Sequence, residues 1–227
     1  MTVPVEPVLR VVDAASGGVL VWRWTGRVTA LSSAAVGGGL SQPGWVANIG
    51  VDSDYRRTDL AEHATEVVAG LELPGQGVVL FTAADVNRAT RSAADGVTVH
   101  ATVGVSHPTW AAAPEADDGP AEVLAPEGSG QDSGPAVSPA PGTINLVIQV
   151  PVSLGGGAAV NAVITATEAK TQALLAAGIE GTGTATDAVV VVWPPAAPPE
   201  RFAGPRSPLG GRIARCVHEA VRSGLER

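Results

Sequence analysis

Residues 142–193 read GTINLVIQVPVSLGGGAAVNAVITATEAKTQALLAAGIEGTGTATDAVVVVW. Thr143 to Val152 is an apolar, partly β-branched run, the pattern of a strand. Ala158 to Ala177 predicts a helix. Gly178 follows it as a residue able to take the left-handed C′ conformation that closes a helix. Ala188 to Trp193 is almost continuously β-branched and stops at Pro194 and Pro195. A run with no polar alternation predicts a central strand covered on both faces.

Upstream, short strand-like runs cover Val8 to Val12, Val19 to Trp24 and Arg27 to Ser32, with turn signals at Gly17-Gly18 and Thr25-Gly26. Gly37-Gly38-Gly39 breaks the pattern, and Trp45 to Val51 resumes it. Leu60, Ala64, Val67, Val68 and Leu71 fall on one helical face. Asp59 and Glu62 stand at capping-box spacing at its start. Gly77 to Thr82 and Gly96 to Val105 are further strands. Downstream, Pro208 to Leu225 predicts a last helix with Leu209, Ile213, Val217, Ala220 and Val221 on one side. Strands cluster early and helices separate the later ones. The expected class is therefore α+β: mixed sheets layered with helices, without the clean alternation of a doubly wound fold.

The chain has 227 residues, of which 45% are hydrophobic and 16% charged, so it can build a sizeable core. Between the two structured segments, 1–110 and 142–227, lies a stretch rich in Ala, Pro, Gly and Ser. Residues 111–141 hold Glu115, Asp117, Asp118, Glu122, Glu127 and Asp132, with no Lys or Arg. They are expected to form a disordered surface insertion in one domain. Those six acids account for most of the net charge of −8, so the rest is nearly neutral and offers no basic face to nucleic acid. The arginines of 200–227 read as a solvated helix face. No apolar run reaches the ~20 residues of a membrane span. Residues 1–20 lack the basic and apolar regions of a secretory signal. A soluble, cytoplasmic protein is expected, with homo-oligomerisation left open.

A single cysteine, Cys216, excludes an intrachain disulfide framework and is expected to be buried and inert. His63, His100, His107 and His218 form neither a zinc-type motif nor a Cys/His cluster, so no metal site is expected. His63 reads as a boundary residue of its helix; His100 or His107 could serve as a base, but their spacing selects neither.

Three features carry chemistry. At 100° per residue, Asn161, Thr165, Glu168 and Gln172 fall within about 40° of one line. This stripe is either a solvated edge or a row of hydrogen-bonding groups facing a ligand. Val160, Val163, Ile164 and Leu174 occupy the neighbouring face. Gly181-Thr182-Gly183-Thr184-Ala185-Thr186-Asp187 alternates small and hydroxyl residues before a buried strand, a loop that exposes backbone N–H groups and hydroxyls. It lacks the Gly-Lys-Ser/Thr ending of a phosphate-binding loop. Thr82-Ala83-Ala84-Asp85 ends a strand in a carboxylate, where Asp85 either lines a site or caps the next turn.

The block from Asn161 to Thr171, followed by Gly181 to Asp187, resembles the adenosylcobinamide amidohydrolase family. Gly142-Thr143-Ile144-Asn145 is similar to the same family, as are Ser32-Ser33, Gly37-Gly38-Gly39, Thr82 to Asp85 and Val103-Gly104-Val105. Ala203-Gly204 and Leu209-Gly210 match its closing segment. The turn Ser106-His107-Pro108 departs from it, since an Asn is expected near His107. The resemblance implies hydrolysis of the amide joining the aminopropanol arm to the corrin ring of adenosylcobinamide. The products are adenosylcobyric acid and 1-aminopropan-2-ol, in salvage toward coenzyme B12. No cofactor is implied, because the substrate carries its own cobalt.

Amide hydrolysis needs a general base or acid and an oxyanion stabiliser. Glu168 or Asp187 is expected in the first role, and Lys170 or loop N–H groups in the second. Glu168 and Lys170 are 200° apart on a regular helix, so only one of them is expected in the cleft. Asn145, Asn161, Thr165, Thr182, Thr184, Thr186, Asp85 and Gly38 are the expected substrate contacts. Three alternatives stand beside this. One is a corrinoid-binding module without hydrolysis. A second is a structural or interaction protein that uses the acidic segment 111–141 as a tether. The third is self-cleavage before Thr143 to free an N-terminal threonine nucleophile.

Overall fold

A computed structural model describes residues 4–113 and 142–226. The acidic insertion, apart from its first three residues, lies outside the described residues. Ten strands and three helices are found among those described: β1 (Val8–Val12), β2 (Ala15–Arg23), β3 (Thr29–Ser32), β4 (Gly39–Ser41), β5 (Trp45–Gly50), α1 (Leu60–Ala69), β6 (Gly77–Thr82), β7 (Thr90–Ala94), β8 (Val97–Val103), β9 (Ile144–Gln149), α2 (Gly156–Ala176), β10 (Ala188–Trp193) and α3 (Pro208–Leu225).

The strands form two sheets. The first has the order β1-β2-β5-β6 and the second β4-β3-β10-β9-β8-β7. Strands from before and after the insertion interleave in the second sheet. Each sheet contains one parallel pair, β5 with β6 and β9 with β10, and in each a helix makes the crossover, α1 and α2 respectively. The class is α+β with mixed sheets, as expected.

Three apolar clusters define four layers. Ala64 and Val67 of α1 pack on Val19, Val21, Ala47 and Ile49 of the first sheet. Trp22, Val46, Val78 and Leu80 meet Ala30, Val147, Val190 and Val192 between the sheets. Leu146, Ile148, Val189 and Val191 face α2 and α3 on the far side. Thus β9 and β10 alternate their side chains between two buried interfaces, which explains why their sequences show no polar alternation.

Helix α3 follows its expected stripe. Ser207 caps it, its hydroxyl accepting from Gly210 N–H, and Pro208 occupies the first turn. Leu209, Ile213, Val217 and Val221 are buried, worth roughly 1.5–3 kcal/mol each over exposure. Cys216 is buried on the same face, and burial pushes its thiol pKa up.

Helix α2 differs from the expected pattern. Its buried face is lined by Ala158, Ala159, Ala162, Ala166, Ala169 and Ala173, while Val160 and Ile164 are exposed. Small side chains let the helix lie close to the sheet, so the larger apolar residues turn outward. Its C-terminus ends as expected. Gly178 has φ +76°, its N–H bonds Leu175 O, and Ile179 N–H bonds Leu174 O.

Two local expectations are corrected. Asp59 makes no side-chain cap for α1, because its carboxylate is held by Arg57. His63 is not a boundary residue but is buried, bridging Tyr55 and the Ala14 carbonyl. His100 is engaged structurally between the sheets. The Trp22 indole, which can only donate, reaches His100 Nδ1 at 3.4 Å, and Nε2 meets Glu6 Oε2 at 3.0 Å. Burial lowers the His100 pKa, with Glu6 pulling the other way.

Candidate functional site

The loop between α2 and β10 separates two clefts. Thr182, Gly183 and Thr184 line the larger, about 1040 Å³. Ala185, Thr186 and Asp187 line the smaller, about 480 Å³. The loop is pinned on both flanks. Thr109 N–H bonds Gly183 O and Thr182 N–H bonds Thr109 O, both at 2.8 Å. On the other side the Thr171 hydroxyl of α2 donates to Thr182 O at 3.0 Å.

At the base of this loop, the buried Lys170 forms an ion pair with the largely buried side chain of Asp187. Asp187 is saturated with donors. Its Oδ1 accepts from Ile144 N–H (2.8 Å) and the Thr184 hydroxyl (2.6 Å), and its Oδ2 from Thr184 N–H (3.0 Å) and Lys170. Four donors occupy both oxygens, so the carboxylate joins β9, the loop and α2 and keeps no vacant lone pair for a substrate proton. Gly183 lies directly over the pair, and a Cβ there would collide with both Asp187 Oδ2 and Lys170 Nζ.

The larger cleft is walled by the outer face of α2. Val163, Ile164 and Leu175 supply apolar surface, and Thr167, Glu168, Lys170, Thr171 and Gln172 supply polar groups. Both Glu168 and Lys170 therefore line it, against the expectation that only one could. The long Lys170 stem leaves the buried side of the helix and reaches round to Asp187. Every threonine hydroxyl of the α2 and loop walls donates its proton to the protein: Thr167 to Val163 O, Thr171 to Thr182 O, Thr182 to Thr109 O, and Thr184 to Asp187. With the protons committed, these oxygens present lone pairs, one of those on Thr182 taken by Ala111 N–H at 3.0 Å, and the wall acts as an acceptor for N–H groups.

The remaining expected contacts disperse. The polar stripe of α2 divides. Glu168 and Gln172 face the large cleft, but Thr165 is buried and donates to Ala203 O at 2.9 Å. Asn161 is exposed in a separate depression with Glu200 and Phe202, about 13 Å along the helix axis from Lys170. The reason is that this stripe, about 60° wide at 100° per residue, straddles the line where the alanine face meets the segment carrying Ala203. Thr186 faces the small cleft, and its hydroxyl pairs with that of Thr143 at 2.8 Å. Asn145 is buried between the sheets, donating to Asn48 Oδ1 and Phe81 O, both at 2.9 Å. It is absent from the walls of both clefts. Asp85 is exposed and caps the turn Val86–Arg88 by accepting from Asn87 N–H. Gly38 is also outside the clefts and is required by a tight turn, where a Cβ would strike the Ala34 carbonyl.

Sequence reading missed the acceptor role of Thr167 and Thr171 and the whole upstream wall of the small cleft, which includes Ser33, Asp52, Tyr55 and Phe81. The threonines were visible as poor helix formers placed mid-helix, tolerated because they face out. Tyr55 and Phe81 carry no motif. Among the described residues no group of three His, Cys, Asp or Glu is arranged to hold a metal ion, and no helix is long and apolar enough to cross a membrane.

The family model of adenosylcobinamide amidohydrolase matches residues 7–227. The adenosylcobinamide amidohydrolase of Halobacterium salinarum is 35% identical over 182 residues, covering 79% of this chain and 72% of that protein. That of Methanosarcina mazei is 36% identical over 94 residues, covering 37% of this chain and 47% of its own. The match takes in both clefts and the loop between them, and the chain belongs to the adenosylcobinamide amidohydrolase family.

Proposed function

We propose that the chain hydrolyses the amide between the corrin ring and the aminopropanol arm of adenosylcobinamide, releasing adenosylcobyric acid and 1-aminopropan-2-ol. The observation that carries this is the acceptor-lined wall of the large cleft, with a carboxylate and an ammonium in the same space. A corrin rim bears many carboxamides whose N–H groups need acceptors, and its macrocycle needs apolar surface. Thr167, Thr171, Thr182 and Thr184 offer the former; Val163, Ile164 and Leu175 offer the latter.

In this reading Glu168 takes a proton from water as the water adds to the amide carbonyl. Lys170, held by Asp187, donates a hydrogen bond to the oxygen as negative charge develops there. Collapse breaks the C–N bond, and the Glu168 carboxylic acid returns its proton to the leaving amine. Base catalysis of this kind contributes roughly 10²–10⁴-fold and one oxyanion donor roughly 10²–10³-fold. Cobalt enters and leaves with the corrinoid, and the reaction would return an incomplete corrinoid to coenzyme B12 synthesis.

The test is incubation of purified protein with adenosylcobinamide and detection of both products by mass spectrometry. Binding with the substrate left intact would instead support a corrinoid-binding module. Absence of both binding and turnover would remove either reading.

A further inference from the structure

The small cleft has no part in the chemistry above, yet it is built with care. It opens at the carboxyl ends of the parallel strands β5 and β6, the end of such strands where ligands bind in α/β sheets. The chain contains one Tyr and two Phe, and this cleft is lined by Tyr55 and Phe81, both only half-buried. With His63 they form a cluster of near-parallel rings. Centroids lie 5.4 Å apart for Tyr55–His63, 5.5 Å for His63–Phe81 and 6.1 Å for Tyr55–Phe81, with interplanar angles of 29°, 28° and 19°.

The cluster is fixed by hydrogen bonds. His63 Nε2 meets Ala14 O at 2.9 Å, and a carbonyl can only accept, so Nε2 carries the proton. In the neutral ring Nδ1 then accepts from the Tyr55 hydroxyl at 2.7 Å. The tyrosine hydroxyl is thereby engaged with its neighbour, and what Tyr55 offers the cleft is ring surface. One tight turn, closed by Tyr55 N–H on Asp52 O at 3.1 Å, sets an exposed carboxylate beside that ring. Asp52 lines the same cleft, as do the Ser33, Thr143 and Thr186 side chains.

A flat aromatic wall with an adjacent carboxylate suits a purine nucleoside: the base stacks on the rings, and the carboxylate accepts from the ribose hydroxyls. We infer that the small cleft seats the adenosyl group carried on the substrate's cobalt, while the macrocycle occupies the large cleft across the 182–187 loop. This rests on the proposed reaction, and it makes the enzyme a reader of the upper ligand as well as of the amide.

The experiment compares kcat/KM for adenosylcobinamide and for cyanocobinamide, in the dark, with the wild-type chain and with Tyr55→Leu and Asp52→Asn. Asp52→Asn alters an exposed turn and keeps the test valid if Tyr55→Leu folds poorly. The wild type should prefer the adenosylated substrate. Loss of base stacking should reduce that ratio by roughly 5- to 100-fold in Tyr55→Leu, with a rise in KM and little change in kcat. Asp52→Asn should reduce it in the same direction. Free 5′-deoxyadenosine should compete with the adenosylated substrate in the wild type and lose potency in both variants. A ratio near one in the wild type, or unchanged in both variants, overturns the assignment while leaving the hydrolysis intact. Competition by 5′-deoxyadenosine without any change in ratio also overturns it, since the cleft would then serve a free nucleoside. No hydrolysis of either corrinoid removes the underlying reaction and the assignment with it.

Discussion

Asp187→Asn separates a structural anchor from a catalytic acid. The carboxylate receives four donors, two on each oxygen, and its ion pair with Lys170 has side-chain exposures of 11% and 8%. An asparagine has one oxygen and one NH2 group. In either orientation two of the four donors face another donor. In either orientation the asparagine is neutral, so the Lys170 ammonium is left buried without its counter-charge. Removing one partner of a buried pair costs about 3–5 kcal/mol. With a urea m-value near the upper end of the usual range for a chain of this size, the unfolding midpoint should fall by about 1–2 M. Adding Lys170→Met removes the stranded charge, so the double variant should recover roughly 1–3 kcal/mol relative to additivity. Urea unfolding followed by tryptophan fluorescence measures all three. A midpoint shift below about 0.5 M, with additive double-variant behaviour, refutes the anchor reading. Turnover lost at unchanged stability would place Asp187 in the chemistry instead.

Glu168→Gln, on the exposed face of α2, should lower kcat by roughly 10²–10⁴-fold without moving the unfolding midpoint; wild-type kcat in this variant sinks the proposed base. Gly183→Ala forces a methyl between Lys170 and Asp187 and should cost about 1–3 kcal/mol together with most of the activity. A fully stable, active Gly183→Ala would contradict the packing described. Burial holds the His100 pKa below its unfolded value near 6.5, so below that pH the unfolded chain gains a proton that the folded chain resists. The melting temperature should therefore drop as pH falls from 7.5 to 5.5, and His100→Gln should show a smaller drop; equal pH dependence in both would exclude His100 as a source. Finally, the hydroxyl paired with Thr143 belongs to Thr186, a group unable to take its proton at neutral pH. Intact mass should thus show one species of 22.7 kDa, and fragments divided before Thr143 would restore the self-cleavage alternative.

Much of the architecture was legible because it rests on periodicity and end signals. The β-branched run at Ala188 to Trp193 announced the central strand, and Gly178 announced the end of α2. The strands β4 and β7 were missed for a physical reason: both are edge strands, with little apolar pattern of their own. For β7 a local signal was present in Asp95-Gly96, whose positive φ values of 46° and 82° make the two-residue turn between Ala94 and Val97. The outward orientation of Val160 and Ile164 was not legible, because it follows from how close an alanine-faced helix can approach its sheet. Of the site, the 181–187 loop and its acid stood out from composition alone. The reach of Lys170 round α2 depends on side-chain length, which angular position on a helical wheel does not capture. The grouping of Tyr55, His63 and Phe81 comes from the juxtaposition of β6 with the turn before α1, contacts that no spacing in the chain encodes.

The acceptor character of the large cleft bears on how the proposed reaction finishes. Cleavage converts a neutral carboxamide into a carboxylate within a wall of lone pairs and beside the Glu168 anion. The lone pairs that welcome the uncleaved arm disfavour the newly formed acid, and the Lys170 ammonium, already paired with Asp187, holds it weakly, so product inhibition should be weak. Directionality in such a catalyst needs no moving part, only threonines whose protons already point the other way.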